Sequence, residues 1–260
     1  MREILTTLAL AADRARAILL EHQERGVDVE AKGSAIDLVT RADRESERAI
    51  LDVIASRHPG VAVLAEESAR ARGPATGPRF VVDPLDGTTN FAHGVPFFSV
   101  SLSYELDGRP VAATVDAPWL EERYAAEQGA GATLDGRPLR VSRREQLSES
   151  LLVTGFPYDR REHVDRYLSL WRRALLATHG VLRLGSAALD LCQVAAGRLD
   201  GFWEEKLAPW DTSAGTLIVA EAGGRVTTMR GQPHDPYCES VLATNGRIHD
   251  ACVALLAHPR

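Results

Sequence analysis

The sequence predicts a layered body of mixed α/β (α+β) class. Three observations carry that reading. Helical and strand-like patterns alternate over most of the chain, the stretch from Phe97 to Val141 turns to consecutive strands, and no internal repeat or low-complexity linker divides it. The chain has 260 residues, 45% hydrophobic and 25% charged, with 21 Gly and 13 Pro, the profile of an ordinary globular protein. At this length folding should bury roughly 70–75% of the surface that the unfolded chain exposes. A single domain over residues 1–260 is expected, in two packed halves of approximately 1–145 and 146–260.

The elements follow in order. Ile4, Leu8, Ala11, Ala15 and Ile18 recur at spacings of three and four, the stripe of an amphipathic helix. The apolar run within it is closed by Asp13 and Arg14 and is too short to span a bilayer, so no membrane segment is expected. A polar stretch runs from Gly26 to about Asp37. Thr40, with Asp43 three residues on, opens a second helix. Ile50, Leu51 and Ile54 supply its buried face and His58-Pro59-Gly60 ends it. Val61 to Ala65 reads as a buried strand running into Glu66-Glu67, Gly73 to Pro78 as an exposed loop, and Phe80-Val81-Val82 as a short strand ending in Asp83.

Beyond Phe97, the residues Phe98, Val100, Leu102 and Tyr104 alternate with small polar ones, and Asp107-Gly108 and Asp135-Gly136 signal hairpin turns. Helices are expected from about His163 to Ala177, Ala187 to Ala196 and Pro209 to Ala222, the last closed by Gly223-Gly224. Strands at Val226 to Thr228 and Val241 to Thr244, then a helix near Ile248 to Leu256, complete the pattern.

The charge balance is 36 acids against 30 bases, a formal net charge of −6. That speaks against direct nucleic-acid binding through charge. All the bases are arginine except Lys32 and Lys206, a bias of the kind GC-rich coding produces. Cys192, Cys238 and Cys252 are odd in number and far apart, so neither a disulfide framework nor a CxxC pair is present. A reducing cytoplasm is the expectation.

Four acidic patches each close an apolar element: Asp43, Glu66-Glu67, the run from Asp83 to Asn90, and Trp210-Asp211. In the third, Pro84 stiffens a turn between Asp83 and Asp86. Gly87 and Thr88 then offer backbone N–H groups at the start of a helical turn, a phosphate cradle. Two carboxylates beside such a cradle repel unless cations lie between them, and all-oxygen ligation points to Mg²⁺. Spacing alone also fits blander readings. Asp43 suits a helix-start acid, Glu66-Glu67 a solvated strand end, Asp211 a residue placed by the helix dipole, and Asp83 with Asp86 a plain Pro-initiated turn.

The segments Asp83-Pro84-Leu85-Asp86-Gly87-Thr88-Thr89-Asn90-Phe91 and Trp210-Asp211-Thr212-Ser213-Ala214-Gly215 resemble the two signature motifs of the inositol monophosphatase family. The likeness extends through Asp37 to Asp43, Glu66-Glu67-Ser68 and Glu221-Ala222-Gly223-Gly224, in the family's order and nearly over the whole chain. Gly155 to Asp159 and Gly185 to Asp190 are most similar to its bacterial branch. One departure is Ala65, where relatives often have Gly.

This resemblance implies a five-layered αβαβα sugar-phosphatase sandwich and Mg²⁺-dependent hydrolysis of a small-molecule phosphate ester, with inositol 1-phosphate as substrate. It implies a first metal on Glu66, Asp83 and the Leu85 carbonyl, a second on Asp83, Asp86 and Asp211, and a third, weaker ion leaning on Glu66 and waters. Asp43, Thr88 and Glu66 become the catalytic residues, with Asp43 and Thr88 orienting and helping to deprotonate the attacking water. Asp86, Gly87, Thr88 and Asp211 take the substrate at its phosphate end, Gly185, Ser186, Ala187 and Glu204 at its sugar end, and Lys32 and Glu67 support the site. Glu205-Lys206 beside Glu204 is a local difference.

Lithium sensitivity and a homodimer are implied as well. The alternatives are a related phosphatase acting on fructose 1,6-bisphosphate or histidinol phosphate, or a transcription- or RNA-processing-associated regulatory protein with secondary phosphatase activity.

Overall fold

Small side chains on one face of the N-terminal helix let a second helix lie close against it. Thr7, Leu8, Ala11, Ala12, Ala15 and Leu19 are buried on that face, α1 (Arg2–Arg25). The apolar stripe is therefore rotated slightly from the one the spacing predicts, for Leu19 is buried where Ile18 is only half-buried. The structure, a computed structural model, describes residues 1–26, 29–31, 38–68 and 76–257.

In chain order α1 is followed by β1 (Val29–Ala31), β2 (Leu38–Thr40), α2 (Arg41–Arg57), β3 (Ala62–Ala65), β4 (Pro78–Asp86), α3 (Thr88–Ala92), β5 (Ser99–Leu106), β6 (Arg109–Ala117), β7 (Glu122–Glu127), β8 (Gly131–Leu134) and β9 (Arg137–Pro138). Then come β10 (Leu151–Thr154), α4 (Arg160–Ala177), β11 (Gly180–Leu182), α5 (Ala187–Ala195), β12 (Gly201–Glu205), α6 (Pro209–Glu221), β13 (Arg225–Thr227), β14 (Ser240–Thr244) and α7 (His249–Leu256).

Strands β3 to β9 form one seven-stranded sheet in chain order, parallel only between β3 and β4. The second sheet runs β11-β10-β12-β14-β13, with β10 parallel to both its neighbours and β14 antiparallel to both of its own. Helices α1 and α2 cover the outer face of the first sheet, α5 and α6 lie between the sheets, and α4 and α7 cover the outer face of the second. The result is five layers, αβαβα. One central cluster takes Val115 and Tyr124 from the first sheet, Leu189 and Ile218 from the sandwiched helices, and Phe202 and Val241 from the second sheet.

Several elements differ from the sequence reading. The polar stretch after α1 contains strand β1, which pairs with β2 as a small antiparallel hairpin. Strands β10, β11 and β12 were not anticipated. They are three to five residues long and covered on both faces, so no alternation marks them. Strand β4 runs on through Pro84 to Asp86 instead of ending at Asp83. The expected loop from Gly73 lies partly outside the described residues, and its Pro78 is the first residue of β4. Helix α4 starts three residues early and is kinked at His163 (φ −123°). Both Asp-Gly pairs form the expected turns, with positive φ at Asp107, Gly108, Asp135 and Gly136.

Gly215 explains the glycine that closes the Trp-Asp-Thr-Ser-Ala-Gly segment. A Cβ there would come 2.6 Å from Leu191 Cδ1 and 2.7 Å from its Cβ, on the facing helix α5. We expect Gly215→Ala to overpack the α5–α6 contact and lower stability by roughly 1–3 kcal/mol. The midpoint of chemical denaturation measures it.

Candidate active site

The site begins with an irregularity in β4. Its register with β5 is regular from Pro78 opposite Leu106 to Asp83 opposite Ser101, then shifts so that Asp86 faces Ser99. In an unbroken strand, residues three apart point to opposite faces. Pro84 has no N–H to give the ladder, and the shift there brings Asp83 and Asp86 to the same cavity. The Leu85 amide closes the turn by donating to Asp83 Oδ1 at 3.0 Å.

Helix α2 reaches this strand end with one polar face. Asp43, Ser46 and Glu47 follow i, i+3, i+4 spacing and are buried. Ser46 Oγ donates to the Pro84 carbonyl at 3.0 Å, and Glu47 Oε2 accepts the Glu67 amide at 2.7 Å, fixing the chain just past Glu66. Asp43 completes the capping box with Thr40 that the sequence predicts: its Oδ2 accepts the Thr40 amide at 2.8 Å and the Thr40 hydroxyl at 2.5 Å. Its second oxygen lies 3.1 Å from the Thr88 hydroxyl, which is also 3.1 Å from the Leu85 carbonyl. The helix-start role and the link to Thr88 therefore coexist. Ser46 and Glu47 were missed, although they continue the same helical stripe as Ile50 and Ile54.

The opposite wall comes from the sandwiched helices. Asp86 Oδ2 accepts the Ser186 hydroxyl at 2.6 Å and the Ala188 amide at 2.7 Å, at the start of α5. Asp211, in the first turn of α6, accepts the Ala208 amide at 2.6 Å. Gly87 caps α3 in the left-handed region (φ 93°), and a Cβ there would come 3.2 Å from both the Phe97 and Gly185 carbonyl oxygens. Asn90 ties the two walls together, donating to Phe97 O at 2.6 Å and Leu184 O at 2.7 Å.

Carboxylate oxygens of Asp83, Asp86 and Asp211 lie within 4.8 Å of one another. They line a cavity of about 140 Å³ that also receives Glu66, Leu85, Gly87 and Thr88. Gly185, Ser186, Ala187 and Glu204 line it too, Ser186 directly against Asp86. Asp43 reaches the cavity through Thr88, Glu67 stands behind Glu66, and Lys32 lies outside the described residues.

Burial, followed by repulsion from the neighbouring acids, pushes the Asp83 and Asp211 carboxyls well above the usual carboxylate range. Asp86 is pushed up to about 6 by burial, held back by its bonds from Ser186 and Ala188. Burial also raises Asp43, against the lowering influence of its Thr40 donors. Hard oxygen donors crowded into one cavity, each at a cost that positive charge would remove, suit divalent cations of the Mg²⁺ type.

Beside Glu204, which the resemblance places at the sugar end, stand Asp190 and Lys206, to which the sequence reading gave no role. Glu204 is 8% exposed and packs directly over the Gly155 Cα, where no side chain would fit. Burial pushes its carboxyl up to about 8, with Arg183 pulling the other way. Burial, then repulsion from Glu204, raises Asp190 beside it well above the usual carboxylate range, and its Oδ1 has no hydrogen-bond partner. Lys206 holds a left-handed backbone (φ 60°) and pairs with Asp159 at the rim.

These shifts fix the sign of a pH dependence. A carboxyl with a raised folded pKa holds its proton more tightly folded than unfolded, so its stabilisation is full below about pH 4. It is lost as pH climbs through the folded values, about 6 for Asp86 and about 8 for Glu204. We expect the melting temperature in chelator to fall between about pH 5 and 8.5 and saturating divalent cation to restore most at the upper end. Scanning fluorimetry across that range checks both.

A sequence model described as the inositol monophosphatase family matches residues 1–259. An inositol-1-monophosphatase of Synechocystis is 46% identical over 234 residues, 89% of this chain and 81% of the relative. A Pseudomonas aeruginosa protein named Nus factor SuhB is 42% identical over 230 residues, 86% of this chain and 85% of that one. The crystal structure of the extragenic suppressor protein suhB from Bartonella henselae superposes with a TM-score of 0.93 at 38% identity, covering 99% of each chain.

Proposed function

This chain belongs to the inositol monophosphatase family of metal-dependent phosphoric monoester hydrolases, and on that footing we propose that it hydrolyses inositol 1-phosphate to myo-inositol and phosphate with Mg²⁺. The observation that carries this reading is the convergence of the Asp83, Asp86 and Asp211 carboxylates beside the Asp43–Thr88 pair. Asp83, Asp86 and Asp211 would hold one cation, and Glu66, Asp83 and the Leu85 carbonyl another. A weaker third would lean on Glu66. Bound Mg²⁺ supplies the charge that neutralises the phosphoryl oxygens and makes a water acidic enough to attack.

The protein's own groups do the rest. Thr88 has one hydroxyl proton and two acceptors at equal distance, Asp43 Oδ1 and Leu85 O. With the Leu85 carbonyl engaged elsewhere, the proton goes to Asp43, and the Thr88 oxygen is free to accept from the attacking water. The N–H groups of Gly87 and Thr88, at the start of α3, would take the phosphate. Glu204, whose carboxyl burial pushes up to about 8, would as the protonated acid both donate to and accept from a sugar hydroxyl in the cavity that Gly185, Ser186 and Ala187 also line.

We also read the chain as one domain of two packed halves, since the central cluster draws on both sheets. A homodimer and a cytoplasmic setting belong to the same reading. Among the described residues no helix is long and apolar enough to cross a membrane. The regulatory alternative has the names of some relatives behind it. The intact carboxylate set favours the hydrolase, and the acidic balance argues against direct nucleic-acid binding.

A phosphate-release panel with a Mg²⁺ titration tests the reading. Inositol 1-phosphate should be turned over faster than fructose 1,6-bisphosphate or histidinol phosphate, with lithium inhibiting. A reversed order would overturn the substrate assignment. Asp86→Asn or Asp211→Asn should abolish Mg²⁺-dependent turnover in a protein with an unchanged circular dichroism spectrum. In the same panel, Glu204→Gln should change the ranking of substrates more than the Mg²⁺ half-saturation.

A further inference from the structure

The small polar residues that alternate along β5 have no part in the chemistry above. They are Ser99, Ser101 and Ser103, continued by Glu105, and each is at most 1% exposed. Their neighbours Phe98, Val100, Leu102 and Tyr104 face the α1–α2 layer. A strand covered on both faces is ordinarily apolar on both, and four buried polar side chains destabilise unless each is bonded.

All four are bonded, toward the acidic trio or the helix that carries part of it. Ser99 Oγ lies 3.2 Å from Ser186 Oγ, the hydroxyl that donates to Asp86. Ser101 donates to the carbonyl of Trp210 at 3.1 Å, one residue before Asp211. Ser213, two residues after Asp211, donates to Glu105 Oε1 at 2.8 Å. Its single proton is then spent, so the 2.7 Å contact with Ser103 must be Ser103 donating to Ser213. Glu105 Oε2 accepts Arg79 Nε at 2.9 Å and the Tyr237 hydroxyl at 2.8 Å. The Arg79 guanidinium stands 4.8 Å from the centre of the Tyr237 ring.

We propose that Glu105 is a positioning residue for the metal site. Held by its ion pair with Arg79, it clamps Ser213 and, with Ser101 on the other side, fixes the first turn of α6 and hence the Asp211 carboxylate. The inference rests on Asp211 being a metal ligand. Groups that orient ligands in this way typically change metal affinity when removed.

The test is a Mn²⁺ titration of the full chain, followed by the paramagnetic resonance of the free ion, with a melting curve for each variant. Ser213→Ala cuts the link between Glu105 and α6 while leaving Arg79–Glu105–Tyr237 intact. It should weaken Mn²⁺ binding roughly tenfold. Tyr237→Phe removes a bond to the same carboxylate away from the helix, and should lower the melting temperature without changing Mn²⁺ affinity. Unchanged affinity in Ser213→Ala overturns the proposal, as does an equal loss in Tyr237→Phe, which would make the network merely stabilising. Asp211→Asn in the same titration separates the two readings. If it binds Mn²⁺ as tightly as the parent, the ligand assignment fails; if it does not while Ser213→Ala is unaltered, only the positioning role fails.

Discussion

Mutual repulsion among buried carboxylates is the constraint on which this molecule is organised. Asp83, Asp86 and Asp211 stand within 4.8 Å of one another, a spacing at which like charges in a protein interior repel by several kcal/mol. No arrangement of the metal-free chain makes that comfortable. The fold holds it by spreading the strain over many small attachments: an amide or hydroxyl on each carboxylate, a register shift locked by a proline, and three helix starts that meet at one point.

Those attachments come from separate layers, and this gives the five-layered architecture its purpose. Helix α2 reaches in from the outer layer through Asp43, Ser46 and Glu47, while α5 and α6 contribute from the sandwiched one. Strand β5, lying between them, is polar on the face that turns inward. A glycine at 215 lets α5 and α6 approach closely enough to present Ser186 and Asp211 to the same cavity. Similar economy shows in Glu221, which leaves α6 to bind the amides of Gly129 and Gly131 at 2.8 and 2.9 Å, joining that helix to the turn between β7 and β8.

Much of this was legible in the sequence, and the exceptions have physical reasons. The Thr40–Asp43 cap, the Asp-Gly turns and the boundaries of α5 and α6 are local and follow from neighbouring residues. So does the presence of acids at the ends of apolar runs. Their convergence is not local: that Asp83 and Asp86 share a face depends on the register shift with β5, which sequence spacing alone would contradict. Glu204 on Gly155, and Asp190 beside it, depend on pairing between short strands that leave no periodic trace. The alternating serines of β5 were visible as a pattern, yet an inward-facing polar row looks from sequence like an ordinary solvent face.

Asn90 spans a boundary of another kind. Its amide group binds Phe97, on the approach to β5 of the first sheet, and Leu184, on the approach to α5. On the proposed reading one side holds the groups that would break a phosphate ester, and the other, with Gly155, Glu204 and Lys206 in the cavity wall, would take the alcohol that ester carries. Inheritance can therefore treat the two as separate modules. On that reading, substitutions along the second edge would redirect the enzyme to a new metabolite and leave its reaction unchanged.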